Sequence, residues 1–278
     1  MLAELHCHTK YSNGSKIEVE GINSSDQMIK AAVQKGIDVM AITDHDTMKG
    51  YSGGKRYAKK HNILLIPGVE ISSEKGHILA LGIEDMIKPD LSVDETLDLI
   101  HEQGGIGIAS HPFDVRREGV GKECVKCDVI ETFNALNLER LSNWRAKRFA
   151  ENHKMPAMAG SDAHITTMIG CGLNRINGEK NIDSIIKAIR KGRNTTVESY
   201  PSMSTVSKWS TLRLQNSYES TQKYINKNYS WPKKQISLNM LKLVKRSPGK
   251  IDYALQGLAY IGVASAFFYS VFQQLVDF

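Results

Sequence analysis

The feature that most constrains this chain is a series of short apolar runs that end in histidine or carboxylate side chains. Residues 37–43 (IDVMAIT) are typical of a buried strand and stop at the polar triplet DHD. Residues 92–103 are typical of a helix that begins with a capping box, Ser92 with Glu95. Because strands and helices alternate at this spacing through residue 191, we predict parallel β/α units and an α/β barrel.

Polar side chains with metal-binding chemistry follow these apolar runs, where the strand ends of a β/α barrel converge. His6 and His8 are two residues apart, so both side chains lie on one face of a strand. Neutral imidazoles and carboxylates suit Zn²⁺, Mn²⁺ or Fe²⁺. A lone histidine is more often a core or surface residue, but candidates on successive strand ends predict a multinuclear metal site. The candidates are His6, His8, Asp44, His45, Glu70, His77, Ser110, His111, Asp162 and His164.

The net charge of +6 is unevenly distributed along the 278 residues. Residues 201–278 contain ten lysines and arginines against three acidic residues, so residues 1–200 are nearly neutral. This imbalance excludes a globally basic coat for nucleic acid. The 41% hydrophobic and 24% charged residues exclude a disordered or fibrous chain. Residues 1–200 are long enough to bury the core of one α/β domain.

The four cysteines do not predict a secreted disulfide scaffold. Cys124 and Cys127 form a CxxC motif, but neither a second pair nor a nearby histidine completes a structural zinc site. We therefore expect buried or half-buried thiols, with a dedicated metal or redox role as the alternative. The chain begins without the basic and long apolar regions of a signal peptide, which predicts a cytoplasmic N-terminal body.

Five segments resemble the motifs of the PHP (polymerase and histidinol phosphatase) superfamily: LHCHTKYSNGS, ITDHDT, GVEIS, SHP and GSDAH. They occur in the usual order across residues 1–200. The short form is more similar to the small PHP phosphoesterases that act on nucleotides or oligonucleotides than to a polymerase module. The resemblance implies a distorted (β/α)7 barrel with up to three metal ions in a cleft at the carboxyl ends of the strands.

The resemblance also implies two metal ions that share one carboxylate, Glu70. His6 and His8 would hold the first ion together with Glu70 and Asp162. The implied ligands of the second ion are Glu70, His77 and His111. We therefore expect a cofactor of two or three divalent ions, Zn, Mn or Fe, with Mg as a further candidate.

A third ion would be held by His45 and His164 together with a residue from the first loop. The aligned residue is Asn13, in SNG where the family often has SDG. Because an amide oxygen is a neutral and weak ligand for these metals, we expect this third site to be weak, empty or filled only with substrate present. A simple Asn13-Gly14 turn is compatible with the loss of that ligand.

The resemblance implies hydrolysis of a phosphate ester by a metal-bound hydroxide, without a covalent phosphoenzyme. Asp44 is expected to orient a neighbouring histidine or a metal-bound water. Protonation of the leaving group is not assigned to one residue, and His45 and His164 are candidates if the third metal is absent.

Three further residues are candidates for contact with the substrate. Arg116 and Arg117 follow His111 closely and suit bidentate contacts to phosphate, although two adjacent arginines are more often a solvated loop. Asn134 lies in IETFN, which resembles the family segment that follows SHP, and it is expected to line the cleft.

We predict a metal-dependent phosphoesterase that acts on a phosphomonoester or nucleotide-type substrate. One alternative is an exonuclease that acts on the ends of single-stranded oligonucleotides and grips nucleic acid with its basic tail. The other alternative is a catalytically weakened metal-binding regulatory module, which the amide at Asn13 permits. The sequence does not predict the oligomeric state.

The texture of the chain changes after residue 200. We predict a basic polar connector over residues 201–250 and an apolar helix over residues 251–278. Residues 254–276 carry no formal charge and exceed the roughly 20 residues that span a membrane. Because lysines and arginines lie just before this run, we predict a tail anchor with the enzyme in the cytoplasm. A helix that packs in a soluble fold is the alternative.

The connector itself has three interpretations. Aromatic residues such as Trp209 and Trp231 are interleaved with lysines, a pattern that suits stacking on the bases of single-stranded nucleic acid. The same charges suit contact with an anionic membrane surface. A solvated helical connector is the third interpretation, and the apolar run that follows favours membrane contact.

Overall fold

The computed structural model describes residues 1–14 and 17–276, with side chains described through residue 273. These residues form nine strands and nine α-helices. The strands are β1 (Leu2–Glu4), β2 (Val39–Ile42), β3 (Leu64–Ser72), β4 (His77–Leu81), β5 (Ile106–Ala109), β6 (Val129–Asn134), β7 (Ala157–Gly160), β8 (Gly172–Ile176) and β9 (Asn194–Glu198). The helices are α1 (Ser25–Gln34), α2 (Lys49–Lys60), α3 (Val93–Glu102), α4 (Leu141–His153), α5 (Ile182–Arg190), α6 (Met203–Asn216), α7 (Tyr218–Asn228), α8 (Lys233–Val244) and α9 (Ile251–Val276).

The strands form one sheet in the order β7-β6-β5-β4-β3-β2-β1-β8-β9. The groups β1-β2-β3 and β5-β6-β7 are parallel, as the strand and helix alternation predicts. Two strands, β4 and β8, run the other way, because each is antiparallel to both of its neighbours in the sheet. Only four residues, 73–76, join β3 to β4, and a link this short permits only an antiparallel pair.

The sheet curls into a nearly closed barrel, and a side-chain amide bridges the remaining gap. Asn174 of β8 donates from Nδ2 to the carbonyl of Ala159 in β7 at 2.7 Å and accepts from the Ala159 N–H at 3.1 Å. Gly172 and Gly160 approach so closely that a Cβ on Gly172 would lie 2.3 Å from the Gly160 backbone. The expected barrel-shaped α/β fold with a C-terminal helix is therefore confirmed, with antiparallel strands added.

The buried aliphatic side chains of the strands form the barrel core. Leu5, Ile66, Leu79 and Ile108 belong to one cluster that also includes the apolar face of α5. The side chain of Cys7 is equally buried but packs in a second cluster, beneath α1. Because burial of each such side chain contributes about 1.5–3 kcal/mol, this packing holds the intervening polar residues rigidly in place.

The sequence pattern predicts a helix only over residues 55–61, whereas helix α2 begins at Lys49. Its first turns contain glycines, which are poor helix formers, so the sequence does not predict a helix there. The glycines are required by packing, because a Cβ on Gly50 would lie 2.0 Å from Oδ2 of Asp44 and one on Gly54 would lie 2.8 Å from Ile29. The predicted capping box of α3, Ser92 with Glu95, is confirmed.

Helices α6 to α9 follow residue 200, and α6 packs on the barrel. Val206 and Trp209 of α6 join the cluster beneath α1, and the Trp209 indole donates to the carbonyl of Glu20 at 2.9 Å. Trp209 is therefore not available to stack on a base, whereas Trp231 is 82% exposed. The basic segment begins with a helix that belongs to the body of the protein.

The C-terminal helix α9 is long and apolar. By length and composition, residues Ile251–Gln273 suffice to cross a membrane, and only 6% of the apolar window is buried. Its exposed side chains include Tyr260, Ile261, Phe268 and Phe272. The helix also contacts α6 and α4, so it lies beside the body at part of its length.

Candidate metal centre

The barrel brings the predicted histidines and carboxylates to one end. His6 and His8 follow β1, His45 follows β2, and the corresponding residues of the later parallel strands follow β5 and β7. Glu70 lies within β3, and its side chain is nearly inaccessible to solvent. His77 is the first residue of β4, and the reversed direction of that strand places it at the same end.

Four of these side chains present ligand atoms at the spacing of a tetrahedral ion. Nε2 of His6 and Nε2 of His8 are 3.2 Å apart, and they lie 3.3 and 3.2 Å from Oε2 of Glu70. Oδ1 of Asp162 lies 3.2 Å from Nε2 of His8 and 3.6 Å from Nε2 of His6. Nitrogen or oxygen ligands at about 2.0–2.1 Å from a tetrahedral Zn²⁺ lie about 3.3 Å apart. These residues therefore fit a divalent ion without rearrangement.

The second oxygen of Glu70 faces another pair of histidines. Oε1 of Glu70 lies 3.1 Å from Nε2 of His111 and 3.4 Å from Nδ1 of His77. The Nδ1 atom of His77 is buried and has no hydrogen-bond partner among the described residues. Ser110 donates to the same Glu70 oxygen at 2.7 Å. Glu70 therefore presents one oxygen to each of two ligand groups, the arrangement that a bridging carboxylate requires.

The third predicted group contains a carboxylate that sequence reasoning missed, Glu20. Its Oε2 lies 3.1 Å from Nε2 of His45, and its Oε1 lies 3.9 Å from Nε2 of His164. Nε2 of His164 is buried and lacks a partner among the described residues. Asn13, the predicted ligand, is exposed at the rim of the same cavity. The sequence contained one indication of this ligand, because Glu20 is an acidic residue only seven positions after Asn13.

Glu131 supports the first group and was also missed. Nδ1 of His6 donates to Oε1 of Glu131 at 2.7 Å, which leaves the lone pair of Nε2 free for a metal. Oε2 of Glu131 accepts from the backbone N–H of His111 at 2.8 Å and from Nδ2 of Asn134 at 2.9 Å. Nδ2 of Asn134 also lies 3.3 Å from Oδ2 of Asp162. One buried carboxylate thus orients parts of two ligand groups.

Asp44 has a different set of partners from the one expected. Its carboxylate accepts from the backbone N–H of Thr9 at 2.5 Å and from the Thr9 hydroxyl at 2.7 Å. Burial raises the pKa of Asp44, and the contacts with Thr9 oppose that rise. These contacts anchor the loop after His8, and among the described residues the Asp44 side chain has no hydrogen bond to a histidine or a candidate metal ligand.

The charges of the site favour a cation. Burial alone would raise the pKa of Glu70, but the surrounding histidines, His45 first, hold it well below its usual range. Burial alone would lower the pKa of His8 and His111, but their contacts with carboxylates raise both to about 9. Burial and the charge of His8 lower the pKa of His164 to about 3. Ionised carboxylates thus hold protons on histidines that a divalent ion would displace.

The site opens to solvent through a cavity of about 580 Å³. Of the three predicted substrate contacts, Arg116 lines this cavity, with its Nε 3.0 Å from Glu118. Arg117 is exposed and is not among the lining residues. Asn134 is only 1% exposed and lies beneath the ligands, so it acts on the site through Glu131 and Asp162. The remaining lining residues are Asn13, Gly14, Ile17, Glu20, His45, Asp46, Glu70, Ser72, His77, His111, Glu118, Asp162, His164 and Arg213.

The CxxC motif lies outside this site. Cys124 and Cys127 are buried in the apolar cluster beneath α3 and α4, and both are free thiols. Burial raises the pKa of Cys124 to about 12, which disfavours the thiolate that metal binding or redox chemistry requires. The structure therefore agrees with buried thiols.

Similarity to known proteins points to one family. The family described as PHP-associated matches residues 140–194. An uncharacterized protein of Methanocaldococcus jannaschii is 35% identical over 149 residues, which cover 51% of this chain and 87% of that protein. The phosphoribosyl 1,2-cyclic phosphate 1,2-diphosphodiesterase of Eggerthella lenta is 31% identical over 91 residues, 31% of this chain and 32% of that enzyme. The 5'-3' exoribonuclease of Haemophilus influenzae is 35% identical over 85 residues, 29% of this chain and 28% of that enzyme.

Among solved structures, the fold is similar to that of a two-domain protein of Bacteroides vulgatus that contains a predicted PHP-like metal-dependent phosphoesterase. The TM-score is 0.60 at 17% identity, over 71% of this chain and 64% of that chain, so this chain spans less than two thirds of it. The fold and the clustered ligands define a metal-dependent hydrolase built on an α/β barrel. The chain belongs to the PHP superfamily of metal-dependent phosphoesterases.

Proposed function

We propose that this protein hydrolyses a phosphomonoester or nucleotide-type phosphate at a centre of two or three divalent ions. The observation that carries the proposal is the geometry around Glu70. One of its oxygens completes a tetrahedral set with His6, His8 and Asp162, while the other faces His111 and a further histidine. A carboxylate shared in this way would hold two cations close together, and such a pair would offset the negative charge of an anionic ester during its hydrolysis.

The protein's own residues hold and orient the centre. Divalent ions, when bound, supply an activated water and offset the negative charge of the phosphate. Glu131 keeps the proton of His6 on Nδ1, so that Nε2 faces the centre. Oγ of Ser12 lies 3.0 Å from Nδ1 of His8, and this contact orients the ring so that Nε2 of His8 also faces the centre. The side chain of His45 is 14% exposed at the cavity, so it can reach the leaving group and protonate it only when no third ion is bound.

Two of the relatives support a nucleotide-type substrate. One is named for a phosphoribosyl cyclic phosphate and the other for RNA. The match to this chain covers less than a third of the length of either relative. The cavity of about 580 Å³ has the size of a site for one small ligand. We therefore propose a mononucleotide, a nucleoside bisphosphate or a cyclic phosphate ahead of a long polymer.

The test is a substrate screen with the purified full-length chain and measured metal content. Mononucleotides, 3′,5′-bisphosphates, cyclic phosphates and short oligonucleotides are offered with Mn²⁺, Zn²⁺ or Fe²⁺. We expect phosphate release from a small substrate that EDTA abolishes, with near-complete loss in His6→Ala and Asp162→Asn. Unchanged turnover in both variants would overturn the metal assignment. Preferential trimming of oligonucleotide ends would favour the exonuclease alternative.

Glu20 argues against a catalytically weakened regulatory module. Asn13 is a poor ligand, but the carboxylate of Glu20 lies beside His45, where a third ion would be held. We propose that Glu20 takes the role that the family motif gives to the residue at Asn13. A protein that binds metal stoichiometrically and hydrolyses none of the substrates above would support the regulatory alternative instead.

We also propose that α9 attaches the protein to a membrane with the barrel in the cytoplasm. The helix is long and apolar enough to span a bilayer, most of its apolar window is exposed, and Lys242, Lys245, Arg246 and Lys250 precede it. After cell lysis we expect the full-length chain in the membrane fraction, resistant to salt and released by detergent. Recovery in the soluble fraction without detergent would contradict this attachment.

A further inference from the structure

An arginine from the helical tail reaches the metal-centre cavity. Arg213 lies on α6, and its side chain lines the cavity together with His45 and Glu70. The side chain is 18% exposed, less than half the 41% exposure of Arg116. Arg213 is therefore the less solvent-exposed of the two arginines in this cavity.

Contacts on several sides fix the guanidinium of Arg213. Its Nε donates to the carbonyl of Val19 at 3.1 Å, and Nη2 lies 2.9 Å from Oε1 of Glu20. The guanidinium carbon lies 5.5 Å from the centre of the Trp209 ring, within the range of a cation–π contact. A guanidinium has five N–H donors, and these two polar contacts leave others for a ligand in the cavity.

The first loop is shaped to receive this side chain. A Cβ on Gly14 would lie 2.6 Å from Nη2 of Arg213, so a larger residue would displace the guanidinium. The loop and α6 are also joined through Val19, whose N–H donates to the hydroxyl of Ser217 at 2.8 Å. The position of Arg213 is thus determined by two distant parts of the chain.

The chemistry of the cavity calls for such a group. Five carboxylates line the cavity against two arginines, and Nε of Arg116 is already within 3.3 Å of both Asp114 and Glu118. Glu20 neutralises part of the charge of Arg213 but leaves the planar fork that binds phosphate oxygens through two parallel N–H donors. A phosphate ester that enters the cavity therefore meets Arg213 beside the metal ligands.

We propose that Arg213 binds the phosphate of the substrate, so that the helix after residue 200 completes the active site. This inference rests on the proposed hydrolysis of a phosphate ester. Glu20 acts here as a positioning residue, because it holds the guanidinium in the cavity while also facing His45.

The test compares three variants of the full-length chain, Arg213→Gln, Arg213→Lys and Lys208→Gln. Lys208 is exposed on the same helix and lines a different cavity, which makes it the matched control. We expect Arg213→Gln to raise KM about 10- to 100-fold, the loss expected for a charged hydrogen bond, with a smaller effect on kcat. Arg213→Lys should fall between it and the wild type, and Lys208→Gln should match the wild type.

A second measurement separates binding from catalysis. The affinity of the metal-loaded chain for inorganic phosphate, measured by calorimetry, should fall by the same factor in Arg213→Gln, with metal content and Tm unchanged. If Arg213→Gln does not fold, Arg213→Lys provides the test, because it keeps the positive charge and loses the two parallel N–H donors of the guanidinium. Wild-type KM and phosphate affinity in a folded variant would overturn the proposal. Phosphate binding that depends on Arg213 without any hydrolysis would overturn the proposed function and support Arg213 only as a phosphate-binding residue.

Discussion

Oε1 of Glu131 lies 2.7 Å from Nδ1 of His6, and both side chains are fully buried. This contact fixes the ring orientation of a residue whose other nitrogen faces three further ligand atoms. Partners of this kind tune metal affinity although they do not touch the metal. The centre therefore extends beyond the five segments that carry the PHP motifs and includes Glu131 of the segment IETFN.

Replacement of Glu131 by glutamine should weaken metal binding. The amide no longer accepts the His6 proton with the strength of a carboxylate, so we expect metal affinity to fall about 10- to 100-fold. Competition with a chromophoric chelator measures this affinity directly. The exposed residue Glu151 supplies the control, and Glu151→Gln should bind metal like the wild type. A metal affinity of Glu131→Gln equal to that of the wild type would show that Glu131 does not orient His6 for metal binding.

Variants of Asn13 and Glu20 test which of the two residues belongs to the third group of metal ligands. Because Glu20 already places a carboxylate beside His45, Asn13→Asp should change activity less than about threefold. Glu20→Gln should lower the number of metal ions bound per chain, measured by mass spectrometry of the metal. A large gain in activity from Asn13→Asp would show instead that the natural chain has lost a third-ion ligand.

The buried thiols should resist modification. Since burial raises the pKa of Cys124 to about 12, the thiolate is a very small fraction at pH 8 and grows only as the pH approaches that value. We expect almost no reaction of the native chain with a thiol-specific reagent at pH 8, and reaction of all four cysteines after denaturation. Fast labelling of Cys124 or Cys127 in the native state would restore a redox interpretation of the CxxC motif.

The amide of Asn174 should stabilise the barrel at its open seam. Asn174→Ala leaves the N–H and the carbonyl of Ala159 without this partner, and we expect a loss of about 1–3 kcal/mol in the free energy of unfolding. Denaturation in urea measures the change. Asn177, exposed near the same strand, is the control, and its alanine variant should be neutral. Equal stability of both variants would show that the seam does not depend on the amide.

Local patterns were sufficient to predict the fold class and most of the ligand groups. The two-residue spacing of His6 and His8 places both rings on one side of the chain, and the structure brings their Nε2 atoms within 3.2 Å. The apolar runs likewise predicted where most strands lie, although glycines hid the start of α2 and a four-residue link reversed β4. These properties depend on residues that are close in the sequence, so the periodicity of the sequence predicts them.

The sequence alone was therefore enough to predict an α/β barrel with clustered candidate metal ligands, because strand ends and alternating side chains are local consequences of the residues. Which charged residues join those ligands depends on how the chain folds. Glu131, Glu20 and Arg213 lie on β6, the first loop and α6, and they meet through packing between distant segments. A charged side chain on a helix such as α6 is usually solvated, and its partner is defined only when the chain folds.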